Sequence, residues 1–241
     1  EENLSDFIDG FKNANFSVNS VKQSPLSKKP SPPFTTSTLQ QEASRKLGFN
    51  VSRTMQAAQK LYESGHITYM RTDSVTLSET ALSSIKKTVK SEFGEKYSKT
   101  RNFSNKNKNA QQAHEAVRPT KFSNNVLNID SDQSNLYDLI WKRTVASQMS
   151  DALVDKTIVK IDSDNHEGYF QSEGEVIRFD GFLKLYRESK DDIPQNEEKN
   201  NILPSFSNGE TIIKEKIYVT ESFSKPPFRY SEASLVKKLE E

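Results

Sequence analysis

Apolar residues recur with the period of a helix through most of the first 150 positions. Leucine and alanine four residues apart predict a helix over 35–47, and similar stripes predict helices over 52–65, 78–93 and 131–150. Glycines end the first three stripes, as is typical of helix C-termini. The first two helices resemble a helix-turn-helix, although two helices packed in a core produce this pattern more often.

Beyond residue 156 the pattern changes to alternation of apolar and polar residues. Short alternating runs predict strands over 157–161, 169–171, 176–179 and 212–219. The four prolines within 19–33 predict a linker or a domain crossing, and the ambiguous spacing before them favours a strand followed by a turn. Helices followed by strands predict an α+β chain with more than one domain.

The composition is that of a polar but globular chain. Of its 241 residues, 33% are hydrophobic and 28% are charged, and the mean hydropathy is −0.79. The absence of Cys excludes disulfides and any Cys-ligated zinc within the chain. No apolar run reaches the length of a membrane span, so no membrane partner is expected. Because the chain starts without Met and stops inside a predicted helix, we expect it to be a piece of a longer protein.

The net charge of +1 is unevenly distributed along the chain. Residues 29–154 carry 18 Lys+Arg and 11 Asp+Glu, a net charge of +7, whereas the remainder has a net charge of −6. A basic block beside an acidic one indicates that the first faces phosphates, although chance clustering on solvated surfaces produces the same division.

The stretch with the most informative chemistry is 68–74, TYMRTDS, which places a phenol two residues before a guanidinium. A tyrosine can attack a phosphodiester and hold the broken end covalently. Its phenol has a pKa of about 10 and needs a neighbouring cation or base to react at neutral pH. Arg71 can supply that cation and bind phosphate oxygens with its planar guanidinium. Taken alone, Tyr69 and Arg71 also fit a half-buried strand tyrosine beside a solvated charge.

Two further stretches carry candidate residues. Residues 96–108 contain five Lys+Arg, two aromatic residues and no acid, which suits a single-stranded nucleic acid but also a polar loop. In the second stretch, His114 can pair with a phosphate when protonated or give a proton to a leaving oxygen. Arg118 can hold a second phosphate, and Glu115 fits an orienting or capping role better than that of a general base.

Residues 65–74, GHITYMRTDS, resemble the active-site signature of the bacterial DNA topoisomerase I family, a branch of the type IA topoisomerases. Further blocks resemble the same family in the same order, at 33–41, 53–62, 113–120, 136–143 and 226–236. Residues 1–28 and 187–210 match weakly or not at all. Gln40, Gln41 and the 226–236 block favour this branch over the related reverse gyrases and topoisomerases III.

The resemblance implies an α+β multidomain fold. The chain would correspond to domains II and III of the toroid that this family forms. A mostly helical domain with the catalytic tyrosine, at 29–154, would be inserted into a β-rich arch or hinge domain. The arch would be discontinuous, formed by 1–28 and 155–225, and 226–241 would start the following base domain.

The resemblance also implies the roles of individual residues. Tyr69 and Arg71 would be catalytic, with Tyr69 linked to the 5′-phosphate of a cleaved DNA strand. Arg71, His114 and Arg118 would bind DNA or phosphate. Weaker candidates for the site are Thr68, Thr72, Asp73, Glu115 and Gln40.

The expected substrate is DNA, mainly single-stranded or negatively supercoiled, and the reaction relaxes it without ATP. The family carries its Mg²⁺ ligands on a TOPRIM domain, and no matching Asp-x-Asp-x-Glu cluster occurs in this sequence, so no metal site is expected here. We expect this chain alone to be weakly active or inactive, and the intact enzyme to be a monomer in the bacterial cytoplasm, associated with the nucleoid.

A different function remains compatible with the residues. The chain would then be a non-catalytic nucleic-acid-binding module, with the helices within 35–65 and the basic loop 96–108 as the binding surface and Tyr69 inert.

Overall fold

The computed structural model describes residues 8–104, 115–123, 127–165, 167–188, 203–221, 223, 224, 226 and 229–240. The chain divides into two compact units. A helical unit contains 28–152, 180–193 and 228–241, and a β-rich unit contains 1–27, 153–179 and 194–227. Helices and antiparallel strand pairs confirm the predicted α+β class.

The described residues of the helical unit form five α-helices, and the four predicted within the first 150 residues form within a few positions of the expected bounds. They are α1 (Thr36–Leu47), α2 (Val51–Glu63), α3 (Glu79–Glu92), α4 (Ser131–Ser147) and α5 (Glu232–Glu240). Two 3₁₀ turns, Glu95–Tyr97 and Gly181–Lys184, supplement them. Within the described part of the chain, no helix is both long enough and apolar enough to cross a membrane.

Side chains just before the helices satisfy the free backbone N–H groups of the first turns. The Thr35 hydroxyl accepts from the Thr38 N–H while the Thr38 hydroxyl accepts from the Thr35 N–H, which makes a reciprocal capping box at α1. At α2, the Asn50 side chain accepts from the Arg53 N–H, at 2.8 Å. These caps account for where the two helices begin.

The core of the helical unit forms where α1, α2 and α4 pack together. Side chains with no exposed surface come from all three helices: Leu39, Ala43, Ala58, Leu61, Leu136 and Ile140. The pair of helices within 35–65 is therefore a packed element of the core. Burying each Leu or Ile stabilises the fold by about 1.5–3 kcal/mol.

The segment 180–188 belongs to the helical unit, whereas the sequence places it in the β-rich domain. Its Tyr186 is buried and donates to the carboxylate of Glu42, at 2.9 Å. Arg143 is also buried and donates to Glu188, at 2.9 Å, and to the Pro32 carbonyl, at 2.7 Å. Buried aromatic and ionic contacts thus hold this segment against the helices.

The C-terminal residues also differ from their predicted assignment. The sequence interpretation makes 226–241 the start of a following domain, but 228–241 clusters with the helical unit. The reason is packing of α5 against α1, and the Glu232 carboxylate also accepts from the Val51 N–H at 3.0 Å.

The β-rich unit contains a four-stranded sheet in the order β3-β2-β1-β4. The strands are β1 (Phe16–Lys28), β2 (Ala152–Ser163), β3 (Phe170–Phe179) and β4 (Thr211–Ile212). Strands β2 and β3 pair antiparallel from Leu153↔Phe179 to Ile161↔Phe170. An aromatic cluster of Phe11, Phe16 and Phe170, with ring centroids 5.3–6.1 Å apart, covers one end of the sheet.

Three strand predictions need correction. Residues 19–28 are part of β1 and do not form a linker, whereas the alternative of a domain crossing within 19–33 agrees with the boundary between the two units after residue 27. Pro25 is tolerated in β1 because the β4 pairing covers β1 only at Phe16 and Ser17. The runs at 169–171 and 176–179 are one continuous strand. The predicted strand 212–219 is reduced to Thr211–Ile212, because side chains beyond it, such as Ile213 and Tyr218, lie exposed with no sheet to cover them.

The tight junction at Gly181 provides a test of the fold. Gly181 has a φ of +50°, and a Cβ atom there would lie 2.5 Å from the Ser150 carbonyl oxygen and closer still to that of Asp151. We expect Gly181→Ala to lower the free energy of unfolding by about 3 kcal/mol or more, because a backbone clash adds to the left-handed penalty. Urea unfolding followed by circular dichroism measures this loss.

The matched control is Gly48→Ala, where φ is +65° and no atom lies within 4 Å of the added Cβ. Only the left-handed penalty of about 1–2 kcal/mol applies there. Equal losses in the two variants would contradict the close approach at Gly181.

Candidate active site

The turn that ends α2 sets the direction of the Tyr69 segment. The Gly65 N–H donates to the Tyr62 carbonyl and the His66 N–H to the Leu61 carbonyl, each at 2.8 Å, which is the hydrogen-bond pattern of a Schellman motif. Gly65 adopts the left-handed φ of +72° that this motif requires. The chain therefore reverses and runs back beside the last turn of α2.

After the turn, the backbone pairs with the segment that follows His114. Ile67 forms an antiparallel bridge with Pro119, and the Thr68 N–H donates to the Arg118 carbonyl at 2.9 Å. The Thr68 hydroxyl donates to the Ala116 carbonyl, at 2.7 Å, and accepts from the Arg118 N–H, at 2.9 Å. These bonds bring the TYMRTDS stretch and 115–120, which are about 50 positions apart, into direct contact.

The first residue of α1 holds the other side of the segment. The Thr36 hydroxyl donates to the Met70 carbonyl, at 2.7 Å, and accepts from the Thr72 N–H, at 2.8 Å. The Thr36 N–H donates to the Thr72 carbonyl, also at 2.8 Å. Thr36 therefore fixes the backbone on both sides of Arg71.

Burial alternates strictly along this extended segment. Met70, Thr72 and Ser74 are buried, whereas Tyr69, Arg71 and Asp73 are exposed. Side chains two residues apart in an extended backbone lie on the same side, about 6.5–7 Å apart along the chain. The phenol, the guanidinium and the carboxylate thus form one outward row.

The reactive ends of this row have no partner among the described residues. Neither the Tyr69 hydroxyl nor the Arg71 guanidinium makes a hydrogen bond or an ion pair with them. Tyr69 is 41% exposed, and its ring meets the Tyr62 ring edge to face, with 5.2 Å between centroids. Tyr69 is neither an inert core residue nor a freely rotating side chain.

Glu115 and Arg118 form an ion pair beside the segment. The Arg118 guanidinium donates to both carboxylate oxygens of Glu115, at 2.5 and 3.2 Å, and to the Pro119 carbonyl. The Ser78 N–H at the start of α3 donates to Glu115, at 2.6 Å. Burial acts to raise the pKa of Glu115, but the hydrogen bonds from Arg118 and Ser78 outweigh it and hold the pKa below its ordinary 4.5.

The remaining candidates are His114, Gln40, Thr68 and Thr72. His114 lies outside the described residues, directly before Glu115. Gln40 is half-buried on α1, and no hydrogen bond joins its side chain to the described residues. Thr68 and Thr72 use their side chains on the backbone of this site, since the Thr72 hydroxyl accepts from the Ser74 N–H at 3.0 Å.

The basic loop at 96–108 is described only as far as residue 104. Lys99 and Arg101 both form ion pairs with Asp151, and Arg101 also donates to backbone carbonyls at 147–149. Burial acts to raise the pKa of Asp151, but Lys99 and Arg101 lower it overall. These two cations are therefore neutralised within the fold, while Lys106 and Lys108 lie outside the described residues.

Across the described ranges, no group of three or more His, Cys, Asp or Glu has the arrangement needed to bind a metal ion. Asp162 and Asp164 resemble the first part of the Asp-x-Asp-x-Glu cluster, and they lie in the β-rich unit. Asp162 accepts from the Asn19 amide, and Asp164 accepts from the Asn15 backbone and side chain, at 2.9 and 2.7 Å. The described residues therefore do not fit a Mg²⁺ site.

Two residues that shape the site were not singled out from the sequence. Thr36 and Tyr62 fall within the predicted helices 35–47 and 52–65, and the sequence assigns neither of them to the site. Their contacts with the Tyr69 segment join residues that are distant in sequence or on opposite sides of a turn. Gly65 was the only local signal of these contacts, because a glycine at the end of a helix predicts that the chain reverses direction there.

Comparisons with known proteins agree over the full chain. The family profile described as DNA topoisomerase matches residues 1–241. The chain is 45% identical over 255 residues to DNA topoisomerase 1 of Rickettsia felis and 48% identical over 251 residues to that of Streptomyces coelicolor, with 100% of the chain covered in both. Full-length topoisomerase I of Thermotoga maritima superposes with a TM-score of 0.75 at 34% identity, over 99% of this chain.

The chain corresponds to only part of each of these proteins. It spans 33% of the Rickettsia felis protein, 26% of the Streptomyces coelicolor protein and 39% of the Thermotoga maritima chain.

Removing the Thr36 hydroxyl tests how the segment is held. We expect Thr36→Val to lower the free energy of unfolding by about 1–3 kcal/mol, because the Met70 carbonyl and Thr72 N–H lose their partner. Thr88→Val is the control, since its hydroxyl only donates to the Ser84 carbonyl one turn earlier in α3 and its loss should cost less than about 0.5 kcal/mol. Denaturant unfolding compares the two, and equal losses would show that the segment does not depend on Thr36.

The Glu115 ion pair predicts a pH dependence of stability. A carboxylate whose folded pKa is depressed stabilises the fold above its unfolded pKa, and this contribution is lost as the pH falls through the folded value. We expect Glu115→Gln to be about 1 kcal/mol less stable than the unchanged chain at pH 7. The difference should shrink as the pH falls below 4.5. Unfolding at several pH values, with exposed Glu92→Gln as the control, measures it, and a difference that is constant with pH would contradict the pair.

Proposed function

The chain belongs to the type IA DNA topoisomerase family, and we propose that it supplies the nucleophile for transient cleavage of one DNA strand. The family match confirms the resemblance found in the sequence. The observation that carries the proposal is the outward row of Tyr69 and Arg71, in which a half-exposed phenol and a guanidinium share one side of a firmly held strand.

In the proposed reaction, the Tyr69 oxygen attacks the phosphorus of a DNA phosphodiester. A tyrosyl O–P bond forms and the bond to the 3′-oxygen breaks, which leaves a 5′-phosphate on Tyr69 and a 3′-hydroxyl on the other end. The phenolic proton is removed in the attack and a proton is supplied to the leaving oxygen. Since one phosphodiester is exchanged for another, rejoining by the reverse reaction needs no ATP.

We assign to Arg71 the binding of the scissile phosphate. It lies on the same side as Tyr69, and no described carboxylate competes for its guanidinium. A guanidinium donates to two phosphate oxygens at once and stabilises the negative charge that grows in the transition state.

The proposed roles of the neighbouring residues depend on the pairing of 67–68 with 115–120. We place His114 near the leaving oxygen or a flanking phosphate, because it directly precedes the segment that pairs with Thr68. Phosphate binding by Arg118 requires its guanidinium to exchange Glu115 for phosphate oxygens. Glu115 orients Arg118 and the start of α3, and Asp73 and Gln40 remain weaker candidates.

The wider activity is proposed for the complete gene product. After cleavage, the second strand passes through the gap and the break is rejoined, which relaxes negatively supercoiled DNA. We propose that Mg²⁺ supports this reaction through ligands on a TOPRIM domain, so that the present chain alone is weakly active or inactive. A monomeric enzyme acting on unpaired DNA at the bacterial nucleoid, in the cytoplasm, completes the proposal.

The alternative of a non-catalytic binding module has less structural support. One face each of α1 and α2 contributes to the core, and Lys99 and Arg101 are paired with Asp151. Only an experiment on the Tyr69 hydroxyl separates the two functions fully.

The test is covalent trapping on the complete gene product. We expect a single-stranded oligonucleotide with Mg²⁺ to give, after denaturation, an adduct that maps to Tyr69 and carries a 5′-phosphate. Tyr69→Phe should lower the adduct at least 1,000-fold while the oligonucleotide affinity changes less than twofold, because only the nucleophilic oxygen is lost.

The control is Tyr218→Phe, which removes the hydroxyl of another exposed tyrosine far from Tyr69 in sequence and should leave the adduct unchanged. Tight oligonucleotide binding without any adduct would favour the binding module. An adduct that persists in Tyr69→Phe would assign the nucleophile to another residue.

A further inference from the structure

The aromatic contact between Tyr62 and Tyr69 has no role in the reaction described so far. The two rings meet at an interplanar angle of 65° with 5.2 Å between centroids, and each side chain is 41% exposed. This is the favourable edge-to-face arrangement of aromatic rings. Among the described residues, it is the one contact of the Tyr69 ring with another aromatic ring.

The two tyrosines lie on different elements, Tyr62 on α2 and Tyr69 on the extended segment that follows it. Tyr62 lies in the last turn of α2, next to Leu61, which has no exposed surface. The Schellman turn at Gly65 then returns the chain to this same helix end. The backbone of Tyr62 is thus held by α2, and the ring of the exposed Tyr69 contacts the Tyr62 ring.

We infer that Tyr62 is a positioning residue, whose ring holds the Tyr69 side chain in the orientation needed for attack on the phosphate bound by Arg71. This inference rests on the proposed function. An exposed tyrosine otherwise distributes among three staggered χ1 rotamers, and only one of them directs the hydroxyl to a given point. Effective catalysis requires the reacting atoms to be close and aligned before the reaction.

The chemistry of the contact limits what Tyr62 contributes. The contact joins the two rings and involves no hydrogen bond of the Tyr62 hydroxyl, so we expect that hydroxyl to be dispensable. An aromatic pair favours one arrangement by a factor of about 2 to 12, which sets the size of the expected effect. A base-stacking role for Tyr62 would act differently, since it would strengthen DNA binding and leave the bound reaction unchanged.

The test compares Tyr62→Phe with Tyr62→Leu in the complete gene product with Mg²⁺. Single-turnover cleavage of a labelled single-stranded oligonucleotide is followed at saturating protein, and its Kd is measured separately. We expect Tyr62→Leu to slow saturated cleavage about 3- to 10-fold with a Kd unchanged within twofold. Tyr62→Phe should restore the rate to within twofold of the unchanged protein.

Three outcomes would overturn the inference. An unchanged cleavage rate in Tyr62→Leu removes the positioning role. A weaker Kd with an unchanged saturated rate assigns Tyr62 to base stacking. A loss in Tyr62→Phe as large as in Tyr62→Leu assigns the effect to the hydroxyl instead of the ring.

Two controls keep these results separate from other failures. Thermal unfolding of both variants shows whether the fold is intact, and Tyr62 is exposed enough that its substitution should leave the core in place. Tyr69→Phe in the same assay shows whether cleavage depends on Tyr69 at all. If the unchanged protein forms no adduct, the proposed function fails, which differs from a Tyr62 variant that cleaves normally.

Discussion

The site depends on the backbone hydrogen bonds that hold 67–72 extended between two neighbours. Thr36 satisfies the Met70 carbonyl and both backbone groups of Thr72, while Thr68 pairs with Ala116 and Arg118. An extended strand without partners would leave its buried N–H and C=O groups unsatisfied, at a cost of about 1–3 kcal/mol each. Because these groups are paired, Met70 and Thr72 stay buried, and the alternation of the backbone then forces Tyr69 and Arg71 outward.

Local patterns were sufficient to predict most of the helical unit. The apolar stripes located α1 to α4, and Gly65 correctly marked the end of α2, because helix periodicity and left-handed glycine are properties of a short stretch. Other features depend on partners that are distant in sequence. Arg143 is a charged residue within the predicted helix 131–150, yet it is buried and donates to the Pro32 carbonyl and to Glu188. Pro25 suggested a linker, but it lies in β1, where the pairing with β4 has ended.

The same division applies to the candidate site. The outward row follows from the period of two along TYMRTDS. The sequence alone therefore allowed Tyr69 and Arg71 to be placed on the same side of the strand. The roles of Thr36 and Tyr62 could not be predicted, since they require knowing that the start of α1 and the end of α2 both meet this strand. The ion pair between Arg118 and Glu115 could not be predicted either, because a sequence motif does not reveal which of its charged residues bind each other.

Every described contact that holds the Tyr69 segment comes from the helical unit, from Thr36 through Tyr62 to Arg118. The position of Tyr69 is therefore set without contacts from the sheet. If Tyr69 carries a DNA end, as proposed, that end is attached to the helical unit alone. The contacts that orient Tyr69 for cleavage would then also be the contacts that orient it for rejoining.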